Sequence, residues 1–300
     1  MNQKNSLIIL LIVLGLVFAG CSSQVGDSQS NIFGSGESDT SSSSSSLRGG
    51  VELDFMDGNP PKEMFKGEDY TFTFVFTNEQ KHPIEDLVVQ TRGFDRGFVN
   101  GLDEEYSVNT IPRANDISGP GIYSGLVVSG VDADGFTGDY SLDPVFDYCY
   151  TAKTTFREQV CVPNSRNQCD INVDSSREQN GLVRVSLGEL QVTGDSMVIP
   201  IEFSNSGSGE VVNECFNTDD FNRNYELVNV MLGSQEGNCR TTSSDSYTLI
   251  NGASTIFCEF SRADNNDEAY VSQLSLEIEY MYQDTTELDI EVRDLDRLTN

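Results

Sequence analysis

The side chains that most often carry catalysis are sparse in this chain. His82 is the only histidine among 300 residues, and it follows a predicted strand that ends at Asn78, which places it in a surface loop. A Ser-His-Asp or Cys-His mechanism would have to use His82 itself, because the nucleophile needs a neighbouring base. We therefore expect no catalytic residues and no cofactor.

Carboxylates are abundant instead, with 48 Asp and Glu against 18 Lys and Arg and a net charge of −30. Glycosidases use two carboxylates roughly 5–10 Å apart, and neighbours such as Glu277 and Glu279 can meet that spacing by chance in so acidic a chain. The charge repels polyanions, which argues against nucleic acid as a partner. Acid excess with only five lysines is typical of proteins from high-salt organisms, because concentrated salt screens self-repulsion.

A weak match to a calcium loop lies in the middle of the chain, where Asp132-Ala-Asp134-Gly135 is followed by Asp139. An EF-hand needs a third ligand before the glycine and a Glu at the twelfth position, and neither is present. Oxygen ligands in an acidic loop can still hold a cation weakly, and a plain turn is the alternative. Asp132, Asp134 and Asp139 are therefore the candidate metal ligands.

Six of the seven cysteines form an even set that indicates disulfides in an exported protein. They are Cys149, Cys161, Cys169, Cys215, Cys239 and Cys258. Zinc binding would need close pairs such as C-x-x-C, and none occurs. Short loops favour pairing Cys161 with Cys169 and Cys239 with Cys258. Cys149 and Cys215 are then either paired with each other or free, and pairing of Cys149 with Cys161 is a competing choice.

The seventh cysteine, Cys21, follows a segment with the layout of an export signal. Residues 1–20 contain a short basic tip, an apolar run and then the small residues Ala19 and Gly20. The pattern resembles the lipobox of prokaryotic lipoproteins, although Phe18 stands where Leu is usual, and it implies cleavage before Cys21 and a lipid on its thiol. The apolar run is shorter than the ~20 residues that span a bilayer. An uncleaved anchor and simple secretion are the alternatives.

Two stretches of the chain, 67–78 and 194–205, match without a gap at an offset of 127 residues. Each begins with Gly and an acid, alternates apolar with other residues, and ends in Phe-Thr/Ser-Asn. Alternation with a period of two indicates a strand that is buried on one face.

A second match joins Tyr148-Cys-Tyr150 to Tyr280-Met-Tyr282 at an offset of 132 residues. In both copies a polar stretch follows, and then a second apolar run, at 160–162 and at 288–292. We therefore expect a β-hairpin to close each copy of a duplicated unit.

The duplication predicts an all-β chain with two tandem antiparallel β-sandwiches. Residues 1–20 are the predicted signal peptide. Residues 21–49 are a predicted disordered, Ser-rich tether, because they are too polar to bury a core. Residues 50–170 and 171–300 are the two predicted β-sandwich domains.

The segment from Gly93 to Gly121 resembles the repeat least. It carries Phe94, Phe98 and Tyr106 in a polar background. Long loops with aromatic residues on a rigid scaffold are frequent binding surfaces, so these three are the candidate binding residues. Packing of the loop onto its own domain is the alternative.

The pattern of a Gly-acid turn, an alternating strand and Phe-x-Asn resembles immunoglobulin-like domains of archaeal cell-surface proteins. The whole layout resembles the surface lipoproteins of halophilic archaea. That resemblance implies a lipid anchor in the cell membrane and domains on its extracytoplasmic side. We hypothesise a non-catalytic binding or spacer protein whose partner is an envelope protein or a glycan. The alternatives are an accessory subunit that adds a strand to a membrane complex, and a carboxylate-based glycan hydrolase.

Overall fold

The structure is a computed structural model, and it describes residues 50–294 with short gaps. The gaps are 96, 98, 136, 164–168, 170–176, 194, 218–222, 242–246, 251 and 262–267. The predicted signal, the tether with Cys21, and Phe98 therefore lie outside the described residues.

Every regular element in this part of the chain is a β-strand, which confirms the prediction of an all-β fold. The strands before residue 163 are β1 (Val51–Phe55), β2 (Glu63–Phe65), β3 (Tyr70–Asn78), β4 (Leu87–Arg92), β5 (Glu105–Val108), β6 (Gly121–Tyr123), β7 (Val127–Val131), β8 (Tyr140–Leu142) and β9 (Val145–Val162). The strands after it are β10 (Arg177–Asn180), β11 (Val183–Leu187), β12 (Gln191–Thr193), β13 (Ser196–Asn205), β14 (Glu210–Val212), β15 (Arg223–Asn224), β16 (Glu226–Leu232), β17 (Gln235–Glu236), β18 (Asn238–Thr241), β19 (Thr248–Leu249), β20 (Ala253–Ser261), β21 (Tyr270–Glu287) and β22 (Ile290–Arg293). None of the described residues forms a helix that could cross a membrane.

The two copies of the repeat fold into the same strand pair. β1 pairs antiparallel with β3 so that Val51 lies opposite Asn78. β11 pairs in the same way with β13, and Val183 lies opposite Asn205. Alternate residues of all four strands point into the apolar core, as the period of two predicts.

The predicted closing hairpins are wrong. β9 continues without a turn from Val145 to Val162, because it pairs antiparallel with β21 along the whole length of both strands. Its polar stretch alternates with Ala152, Thr154 and Phe156, which are fully buried. We call the paired strands β9 and β21 the central ladder.

The central ladder brings equivalent residues of the two repeats together. Tyr150 lies directly opposite Tyr282, its counterpart in the second copy. The register also continues beyond the ladder into β8 and β22, where Leu142 lies opposite Ile290. An approximate two-fold axis therefore passes through the pair Tyr150 and Tyr282, and it relates a first half, β1 to β9, to a second half, β10 to β22.

This arrangement differs from two sandwiches joined end to end at residue 170. The described residues belong to one compact unit. The central sheet has the order β17-β16-β21-β9-β4-β5, with β10 beside β9 and β14 beside β21, so it contains strands of both halves. The halves are therefore fused edge to edge.

Two smaller sheets cover one face of the central sheet. The first contains β1, β3, β6 and β7, and the ring of Phe74 on β3 lies 5.3 Å from the ring of Phe146 on β9. The second contains β11, β12, β13, β18 and β20, and the Val183 N–H donates to Thr154 Oγ1 of β9 at 3.3 Å. Phe146 and Thr154 occupy alternating positions that share one face of β9. Predicted sandwich packing is thus confirmed.

Tyrosine hydroxyls of the central ladder hold the first strand of each half. The Val51 N–H donates to the hydroxyl of Tyr150 at 2.9 Å, and the hydroxyl of Tyr148 donates to the Val51 carbonyl at 3.2 Å. In the second half the Val183 N–H donates to the hydroxyl of Tyr280 at 3.2 Å. The duplicated Tyr-x-Tyr motif therefore links the layers of both halves.

The cysteines form three disulfides, as the even set predicted. Cys161 pairs with Cys169 and Cys239 with Cys258, as the short loops favoured. Cys149 pairs with Cys215, with Cα atoms 5.7 Å apart. This third bond joins the first half to the second, on the face of β9 opposite Tyr148 and Tyr150.

We expect the bond between the halves to contribute most to stability. It closes a loop with a sequence separation of 66 residues, against 8 for Cys161 and Cys169. The chain-entropy model assigns about 4 kcal/mol to the longer loop and about 2.5 kcal/mol to the shorter. Urea unfolding of the double variant C149A/C215A should therefore show the larger loss. The matched control is C161A/C169A, and equal losses in the two would contradict the assignment.

Candidate binding groove

A groove of about 910 Å³ lies between the two halves. Residues of the segments 79–81 and 114–120 form its first wall. Residues of the segment 177–184, with Ser206, form its second wall. The volume falls within the ~300–1,000 Å³ typical of small-molecule sites. We call this feature the central groove.

One segment of each wall directly follows the asparagine that ends a copy of the repeat. Asn78 Oδ1 accepts a hydrogen bond from the Gln80 N–H at 2.8 Å, and Asn205 Oδ1 accepts one from the Gly207 N–H at 3.1 Å. Each side-chain amide also donates to the carbonyl four residues later, at 3.0 and 2.7 Å. These matching Asx turns direct the chain from β3 and from β13 toward the groove.

A self-supporting turn completes the first wall. The Asn115 N–H donates to the Gly119 carbonyl and the Gly119 N–H to the Asn115 carbonyl, each at 2.9 Å. Asn115 Oδ1 accepts a further bond from the Ser118 N–H at 2.7 Å. The Ala114 N–H donates to the Gln80 carbonyl at 2.8 Å, which fastens the turn to the segment after β3.

The second wall is fixed by Gln179 and by a close backbone approach. Gln179 Nε2 donates to the Val183 carbonyl at 3.1 Å, and its Oε1 accepts from the Val185 N–H at 3.2 Å, so β10 is braced against β11. Gly181 has a φ of +125°, and a Cβ there would lie 2.2 Å from Thr154 Oγ1. Only glycine allows this turn to sit against the central ladder.

Positive charge is concentrated in the central groove. Lys81, Arg177 and Arg184 line it, together with the acids Glu79 and Asp116. The groove lining thus contains three of the 18 basic residues of the chain but only two of its 48 acidic residues. The groove therefore has the opposite charge balance to the rest of the chain.

The three cations have different surroundings. The Arg177 guanidinium carbon lies 5.2 Å from the centre of the Phe156 ring. Lys81 Nζ lies 3.3 Å from Glu178 Oε1, and both side chains are more than half exposed, so this pair is weak. Arg184 is exposed on β11 and has no ion-pair partner among the residues that the structure describes.

Two of the three predicted aromatic residues, Phe94 and Tyr106, lie outside the central groove. Phe94 and Tyr106 are half-buried and pack against the hydrophobic core. The Tyr106 ring lies 6.1 Å from the ring of Phe74, and its hydroxyl accepts a bond from the Asp103 N–H at 2.6 Å. Neither residue lines the central groove. Phe98 is outside the described residues.

Two of the three candidate metal ligands have partners of their own. Asp132 Oδ1 accepts from Asn100 Nδ2 at 3.0 Å, and Asp139 Oδ2 lies 3.4 Å from an amino nitrogen of Arg293. Asp134 is exposed. Within the described ranges no group of three or more potential ligands comes together. The structure therefore does not gather Asp132, Asp134 and Asp139 into a site.

His82 and the acids on β21 lie around a second groove. Lys153 Nζ pairs with both Glu277, at 3.7 Å, and Glu279, at 2.7 Å. His82 Nε2 is buried with no hydrogen-bond partner in the described structure. Loss of solvent, aided by the positive charge of Lys153, lowers the pKa of His82 from 6.5 to about 4, although Glu279 opposes the shift.

The central groove was not predicted from the sequence. Its walls come from segments about one hundred residues apart, and nothing in the local pattern indicates that they meet. One signal was available, since the groove residues Glu79 and Ser206 directly follow the asparagines that end the two repeats. Positions just after both copies of a repeated strand are natural candidates for a shared site.

Comparisons with known proteins give no assignment. No family model matches the chain, and no curated protein matches it. Among solved structures, a collagen adhesin from S. aureus aligns with 82% of this chain and 93% of its own, at 10% identity and a TM-score of 0.10. A similarity of this size carries no argument about this chain.

The burial of His82 predicts a pH-dependent stability. The unfolded chain takes up a proton near pH 6.5, whereas the folded chain resists it down to about pH 4. The contribution of His82 to the free energy of unfolding should therefore be fully present above pH 6.5 and decrease as the pH drops toward 4. Urea midpoints at pH 7 and pH 5.5 measure this fall. Because His82 is the sole histidine, H82Q should abolish the difference, and an unchanged difference in H82Q would refute the role of His82.

Proposed function

We propose that this chain is a non-catalytic, lipid-anchored protein of the cell envelope that binds a partner on the extracytoplasmic side. The observation that carries the proposal is the central groove, to which both halves contribute a wall. The central ladder fixes those walls relative to each other. The first wall is made of turns, and the hydrogen bond from the Ala114 N–H to the Gln80 carbonyl fastens them to each other, which suits a binding role.

The proposed architecture is a pair of immunoglobulin-like halves held away from the membrane by the Ser-rich segment 21–49. That segment would average ~30 Å end to end as a flexible chain. The described body begins at Gly50, immediately before β1. An anchored protein of this design would carry its groove at a distance from the lipid surface.

An accessory subunit of a membrane complex is the second candidate, and one observation favours it. Ile122 on β6 and Val127 on β7 are 60% and 52% exposed. They lie opposite Thr77 and Thr73, two residues on the same face of β3, so their side chains share the outer face of the first smaller sheet. Exposed apolar residues along a sheet are typical of a docking surface.

The anchoring part of the proposal predicts the behaviour of C21S. The wild-type chain should partition with detergent in a two-phase extraction of cells and should incorporate a labelled lipid. C21S should lose the label and appear in the aqueous phase, because serine cannot form the thioether. S22A is the matched control and should behave as wild type. Membrane retention of C21S would instead support an uncleaved anchor, and an aqueous wild-type chain would support secretion.

The binding part is tested by mild cross-linking in native membranes, followed by affinity recovery of the chain. We expect an envelope protein or a glycan to be recovered with it, and we expect C21S to lose this partner with its location. A stoichiometric protein partner whose recovery depends on Ile122 and Val127 would favour the accessory subunit. Recovery of the chain alone, without protein or glycan, would contradict a binding role.

A further inference from the structure

The central groove is an electrostatic exception on this molecule. The chain as a whole carries −30, yet the three cations of the groove outnumber its two acids. A surface so acidic repels anions at a distance, and a locally cationic concave site is where an anion can still be held. The charge balance therefore indicates a ligand that carries negative charge.

Arg184 is the cation best placed to meet such a ligand. Arg177 already contacts Phe156, and its terminal nitrogen donates to Gln179 Oε1 at 3.1 Å. Arg184 has neither kind of contact within the described part of the chain. A guanidinium presents a planar pair of donors that matches a carboxylate in bidentate fashion. The ligand group opposite Arg184 is therefore an anion with paired acceptor oxygens, and in a sugar ligand we take it to be a carboxylate.

The rest of the groove lining mixes polar groups with apolar surface. Asn180 contributes a side-chain amide and Ser206 a hydroxyl, and among the described lining residues Ala114 and Pro120 have apolar side chains. The carbon atoms of the long lining side chains add further apolar surface. A sugar ring presents hydroxyls that pair with amides and hydroxyls, and its C–H faces pack on apolar surface. A mixed lining with an excess of cations therefore suits a charged sugar.

We infer that the central groove binds an acidic glycan, with uronate carboxylates on Arg184 and Lys81 and a sugar hydroxyl on the side chain of Asn180. The inference rests on the proposed function, because it names the ligand class of the same site. Recognition depends on direct charge-assisted hydrogen bonds, which are stronger than neutral ones.

Calorimetric titration of the detergent-solubilised full chain tests this inference. The probe is tetragalacturonate, and the matched control ligand is its methyl ester, which has the same sugars without the charge. We expect binding of the acid only. R184Q should weaken it roughly ten-fold, as expected for one lost charge-assisted contact. R240Q is the control variant, because Arg240 is exposed on β18 and does not line the groove.

The outcomes separate the inference from the proposed function. Equal binding of the ester, an unchanged affinity in R184Q, or no binding at millimolar tetragalacturonate would overturn the glycan assignment. Tighter binding of tetraglutamate than of tetragalacturonate, lost in R184Q, would overturn it in favour of an acidic protein partner. If the glycan fails while membrane cross-linking recovers a partner, the proposed function stands without this ligand. If both experiments fail, both proposals fall.

Discussion

Antiparallel pairing of β9 with β21 is the constraint on which the rest of this structure depends. Each strand is 18 residues long, and every residue has a partner in the other. The pairing joins strands of the two halves in one sheet, sets the approximate axis at Tyr150 and Tyr282, and determines where the walls of the central groove face each other. Without it the two Asx turns would have no fixed relation.

The inward face of the central ladder shows how the layers are fitted together. Large rings at Tyr150 and Tyr282 alternate along the ladder with small side chains at Ala152 and Thr154. Thr154 Oγ1 lies 2.9 Å from the hydroxyl of Tyr280 and also receives the Val183 N–H. A buried polar group lowers the stability of the fold unless it is hydrogen-bonded. The hydroxyl of Thr154 has such partners here. The turn at Gly181 lies directly against Thr154.

The same small residues explain what could be predicted from the sequence. The strand pairs β1–β3 and β11–β13 were predictable, because large apolar residues alternate in both repeats. The length of β9 was not, since Ala152 and Thr154 interrupt that alternation and resemble a turn. Side chains alternate with a period of two whether a strand pairs across the halves or within its own half. The local sequence therefore does not indicate that the halves are fused edge to edge.

The candidate site was less predictable than the fold. Aromatic and acidic residues in loops were the predicted binding and metal sites. In the structure Phe94 and Tyr106 pack against the hydrophobic core, and Asp139 contacts Arg293. The cations of the groove are scattered along the sequence, and only the fold brings them together. Their local excess over acidic residues can therefore be recognised only in the structure.

The bond between Cys149 and Cys215 has a consequence for proteolysis. Any single cut of the backbone between these two residues produces two fragments that this disulfide still holds together. The connection between β9 and β10 contains no residue of the central ladder. A cut in that connection therefore leaves the pairing of β9 with β21 intact. A nicked molecule would therefore keep both walls of its groove.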